Sequence, residues 1–343
     1  MKKIVKIVIC ALLSIIIQCA ALLYLDRVLL KESTEFTIEN VDVAVKSVDA
    51  DVAIPANAQK VQISYNGRYI TYFEDNKLML INTKTAQVTQ ILEKTEILDI
   101  EWVPNNNIIS VVEKQDDRVN LITYNPNNGR SQAVGDICTY EKNMEVSSVL
   151  SSSTHYICIN KKNDSSVYRV DINDEKTKLD EDISKLGSCK VFWSKDIFFY
   201  EDLENKKFYR YTKGASTKLN FKNPEKLVIL KAAGNMLYMG EYSENKISKI
   251  IYGEDQTDPS TWKTETLEKP EDINDIYINE NNEIFINDNT QRKVKNFTTK
   301  DNITYDGRFI SINDRVICSS DNGKVYLKSV KDVDKTQEIT KPK

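Results

Sequence analysis

Residues 61–72 read VQISYNGRYITY, and they are followed by KLMLIN at residues 77–82 and QVTQI at residues 87–91. In this stretch three short apolar strands alternate with polar turns, and Asn66-Gly67 forms the shortest of these turns. Asn and Gly tolerate the positive φ that a tight turn between antiparallel strands requires. The stretch therefore predicts a small antiparallel β-sheet.

The same unit of strands and polar turns recurs along the rest of the chain. We expect the inner strands of successive units to begin near Val61, Ile97, Val146, Cys189, Leu227, Ile273 and Phe309. Their spacing of about 40 residues is typical of a four-stranded propeller blade. The sequence therefore predicts an all-β protein, a seven-bladed β-propeller over residues 36–343, with six or eight blades as alternatives.

The two ends of the repeat region bear on how the ring closes. Residues 38–46 alternate apolar and polar side chains, as a half-buried strand does. We expect this segment to complete the blade formed by residues 309–330, because ring closure removes unpaired strand edges. The competing closure uses residues 335–340, whose TQEIT sequence resembles AQVTQ at residues 86–90.

The N-terminus carries a long apolar run, IVKIVICALLSIIIQCAALLYL, at residues 4–25. Residues 7–25 contain no charge, and 19 residues are about enough to cross a bilayer as a helix. Lys2, Lys3 and Lys6 precede the run, which favours a cytoplasmic N-terminus. We predict an uncleaved transmembrane anchor at residues 1–25, a juxtamembrane linker at residues 26–35 and an extracytoplasmic propeller. The alternatives are a cleaved signal peptide and a lipoprotein site at Cys19.

Charge and cysteine content exclude some classes of protein. The chain has 47 basic and 51 acidic residues, giving a net charge of −4, and the two signs are interspersed. Nothing in this pattern indicates a nucleic-acid partner. Outside the anchor, Cys138, Cys158, Cys189 and Cys318 are widely spaced and form no zinc motif. We expect small buried free thiols, with no pair inside the roughly 7 Å Cα separation of a disulfide.

A family resemblance adds to this interpretation. Residues 64–72, SYNGRYITY, resemble the S-P-D-G-x-x-I-A-Y element of TolB-like propellers, and residues 101–109, EWVPNNNII, resemble it more loosely. The WD40-like propeller domain of dipeptidyl-peptidase IV relatives carries a similar element. The resemblance implies a propeller over residues 56–343 that is non-catalytic and binds a partner or belongs to a larger envelope assembly. The chain has no G-x-S-x-G motif, so the hydrolase half of the peptidase relatives is missing.

The sequence contains few candidates for catalytic or ligand-binding side chains. His155 is the only histidine and is interpreted as a surface or rim residue. No phosphate-binding or metal-binding motif is present, so no catalytic residue, cofactor or metal is expected. Carboxylates remain: Asp99 and Glu101 share one face of an inner strand, and Asp275 shares a face with Tyr277. Inner strands line the channel of a propeller, so Asp99, Glu101 and Asp275 are candidate ligand-binding residues, unless they form only a solvated channel wall.

These observations favour a membrane-anchored, non-enzymatic propeller for recognition, scaffolding or sensing at the cell envelope. Its predicted partners are the membrane, through the N-terminal helix, and a protein at one propeller face. The alternative is a propeller enzyme, a lyase or hydrolase that uses channel carboxylates and a metal. That alternative requires several Asp, Glu or Asn side chains to converge at one channel mouth. A third class is a structural subunit of a membrane complex.

Overall fold

A computed structural model describes residues 48–331 except 163, 180 and 181, together with residues 14 and 18. The chain divides into two units, residues 1–43 and residues 44–343. Ser14 and Gln18 in the first unit are helical. Among the described residues no helix is both long and apolar enough to cross a membrane. The predicted anchor and linker otherwise lie outside the described part of the chain, and their boundaries remain predictions.

The second unit is a seven-bladed propeller, because 28 strands in its described residues form seven sheets of four antiparallel strands each. The predicted fold class is thereby confirmed. Blades 1 to 3 consist of β2 (Gln59–Ile63), β3 (Tyr69–Glu74), β4 (Lys77–Asn82) and β5 (Gln87–Gln90); β6 (Glu96–Trp102), β7 (Ile109–Gln115), β8 (Arg118–Asn125) and β9 (Arg130–Thr139); and β10 (Glu145–Leu150), β11 (Thr154–Asn160), β12 (Ser165–Asp171) and β13 (Lys176–Lys178).

Blades 4 to 6 consist of β14 (Leu186–Val191), β15 (Phe198–Asp202), β16 (Lys207–Thr212) and β17 (Ala215–Leu219); β18 (Leu227–Ala233), β19 (Met236–Ser243), β20 (Lys246–Glu254) and β21 (Lys263–Glu271); and β22 (Ile276–Ile278), β23 (Ile284–Asp288), β24 (Lys293–Asn296) and β25 (Asn302–Thr304). Blade 7 contains β26 (Arg308–Ile312), β27 (Val316–Asp321) and β28 (Lys324–Ser329), to which β1 (Val48–Ala53) adds the fourth strand. Short 3₁₀ helices span Pro224–Lys226, Pro259–Thr261 and Ile273–Asp275.

Both ends of the described propeller share blade 7, as predicted, because β1 pairs antiparallel with β28. The place predicted for residues 38–46 is taken by residues 48–53 instead. Residues 38–46 and 335–340 lie outside the described part of the chain. The segment was misassigned because residues 41–45 (VDVAV) and 48–52 (VDADV) both alternate small apolar residues with aspartate or alanine, so periodicity alone does not separate them.

The apolar cores lie between consecutive blades. Seven clusters of buried residues each join two neighbouring blades, and one of them packs Ile63 and Ile70 of blade 1 against Val316 and Leu327 of blade 7. The ring is therefore closed by side-chain packing as well as by strand pairing. Gly67 has a φ of +73°, and a Cβ at this position would lie 3.2 Å from Cδ1 of Leu327. The Asn66-Gly67 turn thus needs glycine both for its backbone conformation and for the approach of blade 7.

Candidate functional site

Asp99 links two blades. It lies on β6 of blade 2, and its Oδ2 accepts hydrogen bonds from the backbone nitrogen (2.7 Å) and the Oγ (2.8 Å) of Ser148 on β10 of blade 3. Burial raises the pKa of Asp99, and the two bonds from Ser148 oppose that rise. The carboxylate of Asp99 is therefore hydrogen-bonded to a neighbouring blade of the protein.

Asp275 lies immediately before the start of β22, the inner strand of blade 6. It belongs to the 3₁₀ helix Ile273–Asp275, and β22 begins only at Ile276, so the expectation that Asp275 and Tyr277 share a strand face was wrong. The Oδ1 of Asp275 accepts bonds from the Nδ2 atoms of Asn287 (2.7 Å) and Asn289 (3.0 Å) in the same blade. These bonds stabilise the turn that leads into β22 of blade 6.

Glu101 differs from Asp99 and Asp275 in its contacts. It lies near the end of β6, and among the described residues its carboxylate makes no hydrogen bond and no ion pair within 4.0 Å. Burial raises the pKa of Glu101 to about 7, and the charge of Asp99 adds to this rise, while Lys190 and Lys231 oppose it. Of the three predicted residues, Glu101 alone is influenced by cations on blades 4 and 5.

Lys190 is the counterpart of Glu101 on blade 4. Burial lowers the pKa of Lys190, and the charge of Glu101 opposes that effect. Each of the two is the second-last residue of its inner strand, because β6 ends at Trp102 and β14 ends at Val191. An alignment of the repeats by their inner strands would have placed Glu101 and Lys190 at one position, and this is the signal that sequence reasoning missed.

A pocket of about 120 Å³ lies where the inner strands end. Five blades contribute to it, with Tyr65 from blade 1, Trp102 from blade 2, Lys231 from blade 5, Glu280 from blade 6 and Arg315 from blade 7. Residues from most of the ring meet only at its axis, so this pocket is one mouth of the central channel. Asp275, which precedes its inner strand, does not line it.

Both carboxylates that line this pocket have partners inside the protein. The Nζ of Lys231 lies 3.3 Å from Oε1 of Glu280. The Oη of Tyr277 donates to Oδ1 of Asp314 at 2.6 Å, and the backbone nitrogen of Glu280 donates to the same oxygen at 3.3 Å. Burial, and after it the charge of Asp314, raises the pKa of Tyr277 well above 10, so the phenol acts as a neutral donor.

The side chains at this mouth bear on the enzyme alternative. Asn105, Glu280, Asn313 and Asp314 do line one pocket, but Asp99 and Asp275 are bonded elsewhere. Within the described ranges, no group of three or more His, Cys, Asp or Glu side chains could hold a metal ion.

His155 and the cysteines lie between blades. The Nδ1 of His155 is 3.0 Å from Oγ of Ser110 in blade 2, and burial lowers the pKa of His155. This histidine joins two blades and is not an exposed rim residue. All four cysteines of the described propeller are free thiols. Cys158 and Cys189 lie in one core between blades 3 and 4, a proximity that their sequence spacing did not indicate.

The sheet order, the closed ring and the channel define this protein as a seven-bladed β-propeller. No protein-family model matches the chain, and no curated protein matches it. Among solved structures it is similar to a chain of the mitotic checkpoint complex, with 10% identity, a TM-score of 0.52, and coverage of 83% of this chain and 93% of that chain.

The chain is also similar to an oligogalacturonate lyase in complex with manganese, with 13% identity, a TM-score of 0.51, and coverage of 79% of this chain and 88% of that one. TolB from Acinetobacter baumannii is another similar structure, with 12% identity, a TM-score of 0.41, and coverage of 80% of this chain and 63% of TolB. The similar structures thus include TolB and other propellers, an enzyme among them. At these identities the similarity shows the fold alone.

Proposed function

We propose that this chain is a membrane-anchored, non-enzymatic β-propeller that recognises a partner protein at the cell envelope. The recognition surface is the channel mouth formed by the ends of the inner strands. The observation that carries this proposal is the pocket to which five blades contribute aromatic, cationic and anionic side chains. The apolar run at residues 4–25 supports the anchor.

The size and lining of the pocket favour a protein partner over a small substrate. Its volume of about 120 Å³ is well below the roughly 300–1,000 Å³ of typical small-molecule sites. A pocket of this size fits one side chain or one chain end. Tyr65, Trp102 and Arg315 line it, and Tyr, Trp and Arg are the residue types that dominate the energetics of protein interfaces.

A photo-crosslinking experiment tests the recognition surface. A benzophenone amino acid replaces Asn105, which is exposed at this mouth, or Arg308, which is exposed at the start of β26 near the opposite mouth. We expect irradiation of intact cells to give a discrete adduct from position 105 and none from position 308. Equal adducts at both positions, or none at position 105, would overturn the proposal.

The anchor is tested in the same cells. Protease added to spheroplasts should digest the propeller, while the protein should stay in the membrane pellet after alkaline extraction. A soluble mature protein that begins after residue 20 would contradict an uncleaved anchor.

A further inference from the structure

Among the described residues that line this mouth, Arg315 is the cation without a carboxylate partner. Lys231 is paired with Glu280, and Asp314 accepts bonds from Tyr277 and from the backbone of Glu280. Among the described residues, no carboxylate oxygen lies within 4.0 Å of the guanidinium of Arg315. The charges of Lys231 and Arg315 balance those of Glu280 and Asp314, so what this mouth offers a ligand is the set of hydrogen-bond donors on the guanidinium of Arg315.

The loop that carries Arg315 is held in place from both sides. The Oδ1 of Asn313 accepts bonds from the backbone nitrogens of Arg315 (2.9 Å) and Val316 (2.8 Å). The Nδ2 of Asn313 donates to the carbonyl oxygen of Ser64 in blade 1 at 2.9 Å. The loop is thus fixed to the neighbouring blade, and little conformational entropy remains to be lost when a ligand binds.

The guanidinium itself is also positioned. Its central carbon lies 5.2 Å from the ring centroid of Tyr65, within the range of a cation–π contact. A ring face cannot accept all five guanidinium donors, so donors of Arg315 remain available to the pocket. Guanidinium donors match the two oxygens of a carboxylate and can bind both at once.

We infer that the channel mouth binds a carboxylate of an acidic segment in the partner protein, with Arg315 as its principal contact. This inference rests on the proposed function and specifies the chemistry of the partner. A carboxylate fits better than a phosphate because Glu280 and Asp314 border the same pocket, and they repel a second negative charge. The pocket of about 120 Å³ admits a single side chain or chain end.

Fluorescence anisotropy with defined peptides tests the inference. The full chain in detergent is titrated into a fluorescein-labelled Gly/Ser peptide that carries two glutamates, into the same peptide with glutamine, and into the same peptide with phosphoserine. We expect the glutamate peptide to bind about tenfold more tightly than the glutamine peptide, since a hydrogen bond between charged groups contributes at least this factor. Arg315→Gln should remove that difference, and Arg315→Lys should restore part of it.

Arg308→Gln is the matched control, because Arg308 is the first residue of the inner strand β26 (Arg308–Ile312), and the loop that carries Arg315 follows the other end of that strand. It should leave the preference for the glutamate peptide unchanged, and thermal unfolding should show that all three variants are folded. The inference is wrong if the glutamate peptide does not bind, if it binds no better than the glutamine peptide, if the phosphoserine peptide binds more tightly, or if Arg308→Gln acts like Arg315→Gln.

The crosslinking experiment separates this inference from the proposed function. If the adduct from position 105 forms undiminished in an Arg315→Gln background, the mouth still recognises a partner but the carboxylate contact is wrong. If no adduct forms from position 105 in the otherwise unchanged protein, the proposed function itself fails. A loss of the adduct only with Arg315→Gln supports both.

Discussion

The carboxyl group of Glu101 should make the stability of the propeller depend on pH, and Glu101→Gln should remove that dependence. Burial raises its pKa from 4.5 to about 7 in the folded chain. Between these two values the folded state binds a proton that the unfolded state has lost. The free energy of unfolding therefore falls as the pH rises from about 4.5 to about 7, and it levels off above that range.

The size of the effect follows from the two pKa values. A change from 4.5 to about 7 corresponds to about 3 kcal/mol between the protonated and ionised forms. Glutamine has nearly the same shape and carries no charge at any pH. In the variant, Lys190 loses a neighbouring carboxylate that favours its charged form. The gain in stability of Glu101→Gln at pH 8 is therefore at most about 3 kcal/mol.

Urea unfolding at intervals from pH 4.5 to pH 8, followed by tryptophan fluorescence, provides the measurement. The difference in unfolding free energy between Glu101→Gln and the unchanged chain should increase across this range. Taking the difference cancels groups common to both proteins, such as His155. Glu93→Gln, at an exposed position, should give a curve parallel to that of the unchanged chain. A parallel curve for Glu101→Gln as well would refute the assigned burial cost.

Three further changes test the contacts between strands and blades. Asp99→Ala removes the acceptor of two bonds from Ser148 and should lower the free energy of unfolding by about 2 kcal/mol in urea titrations. Gly253→Ala places a Cβ 2.3 Å from the indole of Trp262, and the resulting overpacking should cost about 1–3 kcal/mol, seen as a lower thermal midpoint. Deletion of residues 1–53 removes β1, so backbone amides of residues 324–329 should exchange faster with deuterium.

Two of these changes have a matched comparison. Gly135→Ala adds a Cβ with no atom within 4 Å, and a cost equal to that of Gly253→Ala would show that crowding is not the reason. Deletion of residues 1–47 removes the same apolar run and keeps β1 (Val48–Ala53). If both deletions expose β28 equally, strand pairing with β1 does not protect it. For Asp99→Ala, an unchanged free energy of unfolding would show that the bonds to Ser148 contribute nothing.

Local sequence patterns were sufficient for most of the fold. Six of the seven inner-strand starts predicted from apolar runs lie inside the observed strands, and the seventh, Ile273, lies in the 3₁₀ helix that precedes β22. The positive φ of Gly67 and of Asn105 agrees with the turns expected there. These features depend on residues close in sequence, which is why periodicity and turn chemistry detect them.

The candidate site depended on contacts that no local pattern contains. Asp99 and Glu101 share a strand, yet Asp99 bonds to Ser148, while the charges of Lys190 and Lys231 on blades 4 and 5 act to lower the pKa of Glu101. Lys190 and Arg315 approach the channel from blades far apart in sequence. Their mutual distances are set by ring closure, so a single sequence identifies the residue types but does not bring them together.

The strand that closes the ring is also the first described strand that the ribosome makes. β1 cannot pair before β28 has been synthesised, and about 270 residues separate their paired ends. Closing a loop of that length costs about 5 kcal/mol of chain entropy, so β1 is expected to pair only after the six intervening blades have formed. Until then the edges of β1 and β28 that pair in the closed ring remain unpaired, and each can pair with a strand of another chain. During synthesis the protein is therefore most prone to aggregation just before its last blade is complete.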